Sequence, residues 1–177
     1  DSTNLTLTQS GTFSQANVGN NLVVTATNTL GGSAAGNYTL TQPTGLTANI
    51  TPKELTVTGT TVANKTYDGG TTATVTGGTL VGKVGNDVVN LTQAGSFAQA
   101  SVGSGIAVTI ADTISGTASA NYYLTQPTGL SANITAKSLT ISGAAATNKV
   151  YDATTVATMS GTLNGVISGD SANVTLI

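Results

Sequence analysis

Leu55 and Val57 alternate with Thr56 and Thr58, and Ile106, Val108 and Ile110 alternate with Ala107 and Thr109. An apolar–polar alternation with a period of two places the apolar side chains on one face of an extended strand and the threonines on the other. Leu139 and Ile141 repeat the first pattern, and Leu46, Ala48 and Ile50 form another. Val, Ile and Thr suit such strands because their branched Cβ fits a pleated surface. Turn-forming clusters interrupt the runs at Gly31-Gly32, Asp68-Gly69-Gly70, Gly77-Gly78, Gly85-Asn86-Asp87, Gly103-Ser104-Gly105 and Pro127-Thr128-Gly129. Many short strands separated by such turns predict an all-β fold of sandwich or barrel type. Helical periodicity is nowhere sustained; single helical turns are expected at most near Ser14 to Val18 and Ala98 to Val102.

The pattern recurs. Leu-Thr-Gln-Pro-Thr-Gly-Leu runs from Leu40 to Leu46 and again from Leu124 to Leu130, an offset of 84 residues. The same offset carries Asn37-Tyr38 onto Asn121-Tyr122, Ala48-Asn49-Ile50-Thr51 onto Ala132-Asn133-Ile134-Thr135, and Asn64-Lys65 with Tyr67-Asp68 onto Asn148-Lys149 with Tyr151-Asp152. Small slips occur: Asp87 and Asn90 map onto Asp170 and Asn173 at offset 83, and onto Asp1 and Asn4 at offset 86. With a unit beginning at the Pro52-Lys53 junction, residues 52–135 form one whole copy, residues 1–51 the later part of a preceding copy, and residues 136–177 the early part of a following one. Asp1 and Asp170 fall at the same point of the motif. The expected architecture is therefore tandem small β-sandwich-like modules, Ig-like or β-grasp-related, of about 84 residues each. A β-solenoid is the competing threonine-rich architecture, but its coils need a period in the twenties of residues, and the unit here has no such subdivision.

Composition narrows the chemistry. Of 177 residues, 36 are Thr and 22 are Gly, while only 7% are charged and His, Cys and Trp are absent. Without Cys there is no disulfide, thiolate nucleophile or Cys-ligated zinc, and without His the commonest acid–base group is missing. An enzyme is not expected, nor any cofactor. The net charge is −2, and the only basic residues are Lys53, Lys65, Lys83, Lys137 and Lys149, so no basic stripe for a nucleic-acid partner exists. No apolar run approaches the roughly 18 residues of a membrane span. The first residues carry no export signal, and the repeat favours an internal piece of something longer over a processed N-terminus. Hydrophobic residues make up 38% of the chain, which sets it apart from disordered sequences.

Six of the seven aromatic residues occupy paired repeat positions: Phe13 with Phe97, Tyr38 with Tyr122, and Tyr67 with Tyr151. Core or corner packing, with each tyrosine hydroxyl finding a partner, explains such pairs better than a sugar-binding platform. The block Asn64-Lys65-Thr66-Tyr67-Asp68 is the strongest candidate for special chemistry. A lysine beside an asparagine suggests an isopeptide crosslink, which needs a buried carboxylic acid nearby. The one Glu, Glu54, is replaced by Ser138 in the other copy, which leaves Asp68 and Asp152. A tight turn in which Asp68 accepts from local backbone N–H groups is the favoured reading. The other acids are scattered singly, which weakens a calcium site. Asn-x-Thr sequons, for instance at Asn49 and Asn133, signal glycosylation only weakly.

Asn64-Lys65-Thr66-Tyr67-Asp68-Gly69 followed by Thr71-Thr72-Ala73-Thr74-Val75, with the later Val102-Gly103, Asn121-Tyr122, Leu124-Thr125 and Ile134-Thr135, resembles the YDG-type repeat, which is related to MBG modules. Ala153 departs from that pattern at the signature glycine of the last copy. The resemblance implies a large haemagglutinin-like adhesin of Gram-negative bacteria, exported by two-partner secretion and found extracellularly or at the outer-membrane surface. It implies neighbouring repeats as partners, a spacer or stalk role, and, in the alternative, a host or matrix glycan or protein as ligand. It supplies no catalytic, cofactor or metal residue. The residues expected to carry the structure are Phe13, Tyr38, Lys65, Tyr67, Asp68, Phe97, Tyr122, Lys149, Tyr151 and Asp152.

Overall fold

The computed structural model describes residues 4–177, so Asp1, one of the repeat-phase markers, lies outside the described residues. The described residues are all-β, with strands of two to eight residues and three single-turn 3-10 helices at Ala35–Asn37, Ser119–Asn121 and Ser168–Asp170. It divides into two compact units. One gathers the described residues up to Thr56 with Val81–Asn90 and Ile114–Thr125; the other gathers Val57–Leu80, Leu91–Thr113 and Gln126–Ile177. The central copy thus contributes to both.

In the first unit, Gly19–Ala26 lies between Gly11–Phe13 and Thr47–Ile50 in an antiparallel three-stranded sheet, and Thr6–Thr8 pairs with Thr29–Gly31. Tyr122–Thr125 runs parallel to the start of the Lys53–Thr58 strand, with Tyr122 opposite Lys53 and Thr125 opposite Thr56. In the second unit a five-stranded sheet has the order Lys65–Thr66, Ser131–Thr135, Gly103–Ile110, Gly95–Phe97, Thr72–Ala73. Its outer pair is again parallel, with Ile134 opposite Lys65. In both places a late strand of the central copy returns beside an early one.

The alternating positions read from the sequence form the core. Ala73, Val75, Phe97, Ile106, Val108, Ile110, Ala132 and Ile134 are buried together in the second unit, with Val62, Tyr67 and Leu130 packed against them. Leu55 is fully buried. Gly95 faces Ile110 across the sheet, and a Cβ there would come within 2.7 Å of Val75 Cγ2, so the Val75 side chain packs where a larger residue would stand. Each eight-residue strand carries a bulge, at Gly19/Leu22 and at Gly103/Ile106. Asn21 and Gly105 sit there at φ of 52° and 60°, and their amides donate to Asn49 Oδ1 (2.8 Å) and Asn133 Oδ1 (2.7 Å). A side chain thereby satisfies the amide that the bulge removes from the ladder.

The helical turns expected near Ser14 to Val18 and Ala98 to Val102 do not form. Gln15 Nε2 donates to the carbonyls of Asn17 and Val18, and Gln99 Nε2 to that of Ser101, so side chains close these bends instead of a backbone helical bond.

Candidate functional site

The signature block forms a turn in the second unit. Lys65 Nζ lies 2.6 Å from Asp68 Oδ1 and donates to the carbonyls of Gly70 (3.0 Å) and Thr72 (3.3 Å). It also stands 5.8 Å from the centre of the buried Phe97 ring, within cation–π range. The Gly70 amide donates to Asp68 Oδ1 at 2.9 Å. The Lys65 ammonium first, and then the Gly70 N–H, hold the Asp68 carboxyl below the ordinary aspartate range. The Asn64 side chain is engaged elsewhere, its Oδ1 accepting from the Asn133 amide at 2.7 Å. Lysine and asparagine therefore serve two separate structural bonds.

The last copy builds the same turn. Lys149 Nζ reaches Asp152 Oδ1 at 2.8 Å and the Thr154 carbonyl at 2.8 Å, and the Thr154 amide donates to Asp152 Oδ1 at 3.0 Å. Lys149 lowers the Asp152 carboxyl in the same sense. Ala153, at the signature-glycine position, has φ of 58°, close to the 78° of Gly69. The geometry of the turn is retained with a residue for which it is strained.

The remaining aromatic positions diverge between copies. Phe97 is buried at 3% exposure, whereas Phe13 is 38% exposed; Tyr122 is buried, whereas Tyr38 is 60% and Tyr151 90% exposed. The facing strands explain the difference. Phe97 lies in a five-stranded sheet and its core cluster, whereas Phe13 lies in a three-stranded sheet.

Two tyrosine–carboxylate contacts stand out. Tyr122 donates to Asp87 Oδ2 at 2.6 Å and its hydroxyl oxygen accepts from the Val84 amide at 2.9 Å. Tyr67 donates to Asp170 Oδ2 at 2.7 Å. Both phenols are pushed above the ordinary tyrosine value, chiefly because the carboxylate that accepts their proton disfavours the phenolate. In the first unit Asn121 also bridges copies: its Oδ1 accepts from the Val18 amide at 2.9 Å and its Nδ2 donates to Asn17 Oδ1 at 3.0 Å.

Pairs that sequence reasoning did not single out complete the picture. Gln42 Oε1 accepts from the Asn28 amide (2.9 Å) and Gln42 Nε2 donates to the Asn28 carbonyl (2.8 Å); Gln126 makes the same two bonds, at 2.9 and 2.8 Å, to Asp112. The recurring Leu-Thr-Gln-Pro-Thr-Gly-Leu string was the signal: its glutamine braces a turn by a side-chain amide that mimics a strand. The Asn28 and Asp112 side chains in turn accept from the amides of Ser10 (3.1 Å) and Ala94 (3.0 Å). Among the described residues no group of three or more His, Cys, Asp or Glu side chains is placed to hold a metal ion. Among the described residues no helix is long and apolar enough to cross a membrane.

These features define a class: small all-β repeat modules whose polar side chains brace turns and join copies. The YDG domain family model matches residues 1–45, 51–129 and 135–177, and the chain belongs to that family. No curated protein and no solved structure matches it.

Proposed function

We propose that the chain is a non-catalytic spacer: tandem YDG modules forming the stalk of a secreted or outer-membrane-associated bacterial adhesin, which holds out an adhesive region carried elsewhere in the parent chain. One observation carries the reading: the charged and hydroxyl-bearing groups most suited to chemistry are occupied in architecture. Lys65 and Lys149 close turns on Asp68 and Asp152, and Tyr67 and Tyr122 are committed to Asp170 and Asp87. A stalk needs modules that close locally, and a surface poor in charge gives nucleic acid and membrane surfaces little to bind non-specifically.

A second reading, a module that itself grips a glycan or protein, draws support from Tyr38 and Tyr123, exposed at 60% and 52%. Aromatic faces of this kind serve ligand recognition. Arrays of glycans and matrix proteins probed with the intact chain, and with its Tyr38→Ala and Tyr123→Ala variants, separate the two. The spacer gives no saturable signal in any form. A saturable signal that either substitution abolishes overturns it.

A further inference from the structure

Asp87 and Asp170 occupy the same position of the repeat, one slip residue short of the main offset. Each accepts one tyrosine hydroxyl, yet the two tyrosines come from different positions of the repeat. Tyr122, the partner of Asp87, belongs to the same copy as its aspartate. Tyr67, the partner of Asp170, belongs to the copy before. The local backbone agrees at both: the Asp87 amide donates to the Val84 carbonyl at 3.1 Å, and the Asp170 amide to the equivalent Ile167 carbonyl at 2.8 Å. The surroundings agree as well. A cavity of about 300 Å³ beside Asp87 is lined by Val18, Lys53 and Val84, and one of about 210 Å³ beside Asp170 by their counterparts Val102, Lys137 and Ile167. This is one site seen twice, filled from a different side each time. Within residues 1–177 the first copy has no counterpart of Tyr67 and the last has none of Tyr122.

The geometry points to a complete junction in which one aspartate takes both hydroxyls: the signature tyrosine of the preceding copy and the Tyr122-type tyrosine of its own. The occupant of the Asp87 cavity is then the YDG tyrosine of another copy of this repeat. An ionised carboxylate offers two oxygens and about four lone-pair positions, enough for two donors. Charge-assisted O–H···O bonds of the observed length are among the stronger hydrogen bonds of proteins. Tyr67 packs its ring on its own copy's core and extends only its hydroxyl to the next copy. The clasp is directional, since the tyrosine of one copy meets the aspartate of the following one, so it sets head-to-tail order and register. It rests on the repeat alone and stands or falls separately from the stalk reading.

The test uses the full chain lengthened by a second, consecutive copy of residues 52–135, which creates one junction with both tyrosines. Two tyrosine hydroxyl protons protected from exchange are expected there by NMR. Tyr67→Phe in the first full copy and Tyr122→Phe in the second each remove one of them and leave the other. Either substitution also speeds exchange of the Val84 and Asp87 amides of the second copy about tenfold, the size of losing one hydrogen bond to a charged acceptor. Tyr151→Phe, which lies beyond that junction, leaves those amides unchanged. A single protected hydroxyl at the junction, unchanged exchange in the first-copy Tyr67→Phe variant, or an equal effect of Tyr151→Phe overturns the proposal.

Discussion

Phe97 and Phe13 are the same residue at the same repeat position, so truncating each to alanine isolates what the surroundings contribute. Phe97 is 3% exposed, pairs with Val108 across the sheet, and lies in the main core cluster. Its removal costs the transfer free energy of a ring plus the cavity left behind, about 4 kcal/mol for a buried Phe→Ala change. Phe13 pairs with Val24 in the same register but is 38% exposed. With less than two thirds of its surface covered and no closed cavity to leave, its truncation costs about 1 kcal/mol by area alone. The chain supplies matched reporters: the Val108 amide donates to Leu130 and the Val24 amide to Leu46, each at 2.9 Å. Hydrogen exchange at Val108 in Phe97→Ala should therefore accelerate by more than two orders of magnitude, against about fivefold at Val24 in Phe13→Ala. Equal accelerations, or a larger one at Val24, would refute the view that burial in the completed copy, not the identity of the motif residue, sets its energetic weight.

Three further outcomes are expected. Asp112 is 4% exposed with its Oδ2 lacking a protein partner, while Asn28 does the same job in the preceding copy; Asp112→Asn should raise stability to urea by about 1 kcal/mol at neutral pH, and a loss would contradict this reading. Ala153→Gly should stabilise the last copy by about 0.5–1 kcal/mol by relieving its left-handed backbone, measured as slower exchange of the Thr154 amide. The Asp68 and Asp152 carboxyls are held below their ordinary value of 3.8 by Lys65 and Lys149, so their contribution is complete above that pH and lost as pH falls through the lowered values. An acid titration of stability should accordingly flatten below pH 3.8 in the Lys65→Met, Lys149→Met double variant.

Local physics was readable in the chain and tertiary adjacency was not. The alternation at Leu55/Val57 and Ile106/Val108/Ile110 fell on strands because period two is a property of neighbouring residues. The Asp68 turn was legible for the same reason, its bonds spanning two to seven residues. The parallel return of Tyr122–Thr125 beside Lys53–Thr58, and the partners of Tyr67 and Tyr122, depend on segments tens of residues apart, which no periodicity encodes. Glutamine bracing was hidden because a side-chain amide that replaces a backbone strand leaves no hydropathy signal. The unequal burial of Phe13 and Phe97 escaped because a repeat specifies a residue's position in its copy and says nothing about what packs around it.

Small-angle scattering of chains carrying one, two and four consecutive copies of residues 52–135 tests the spacer most directly. A stalk predicts that the maximum dimension grows by a constant step with each copy. Growth of the radius of gyration by only about 30% on each doubling, as for a compact globule, would contradict it.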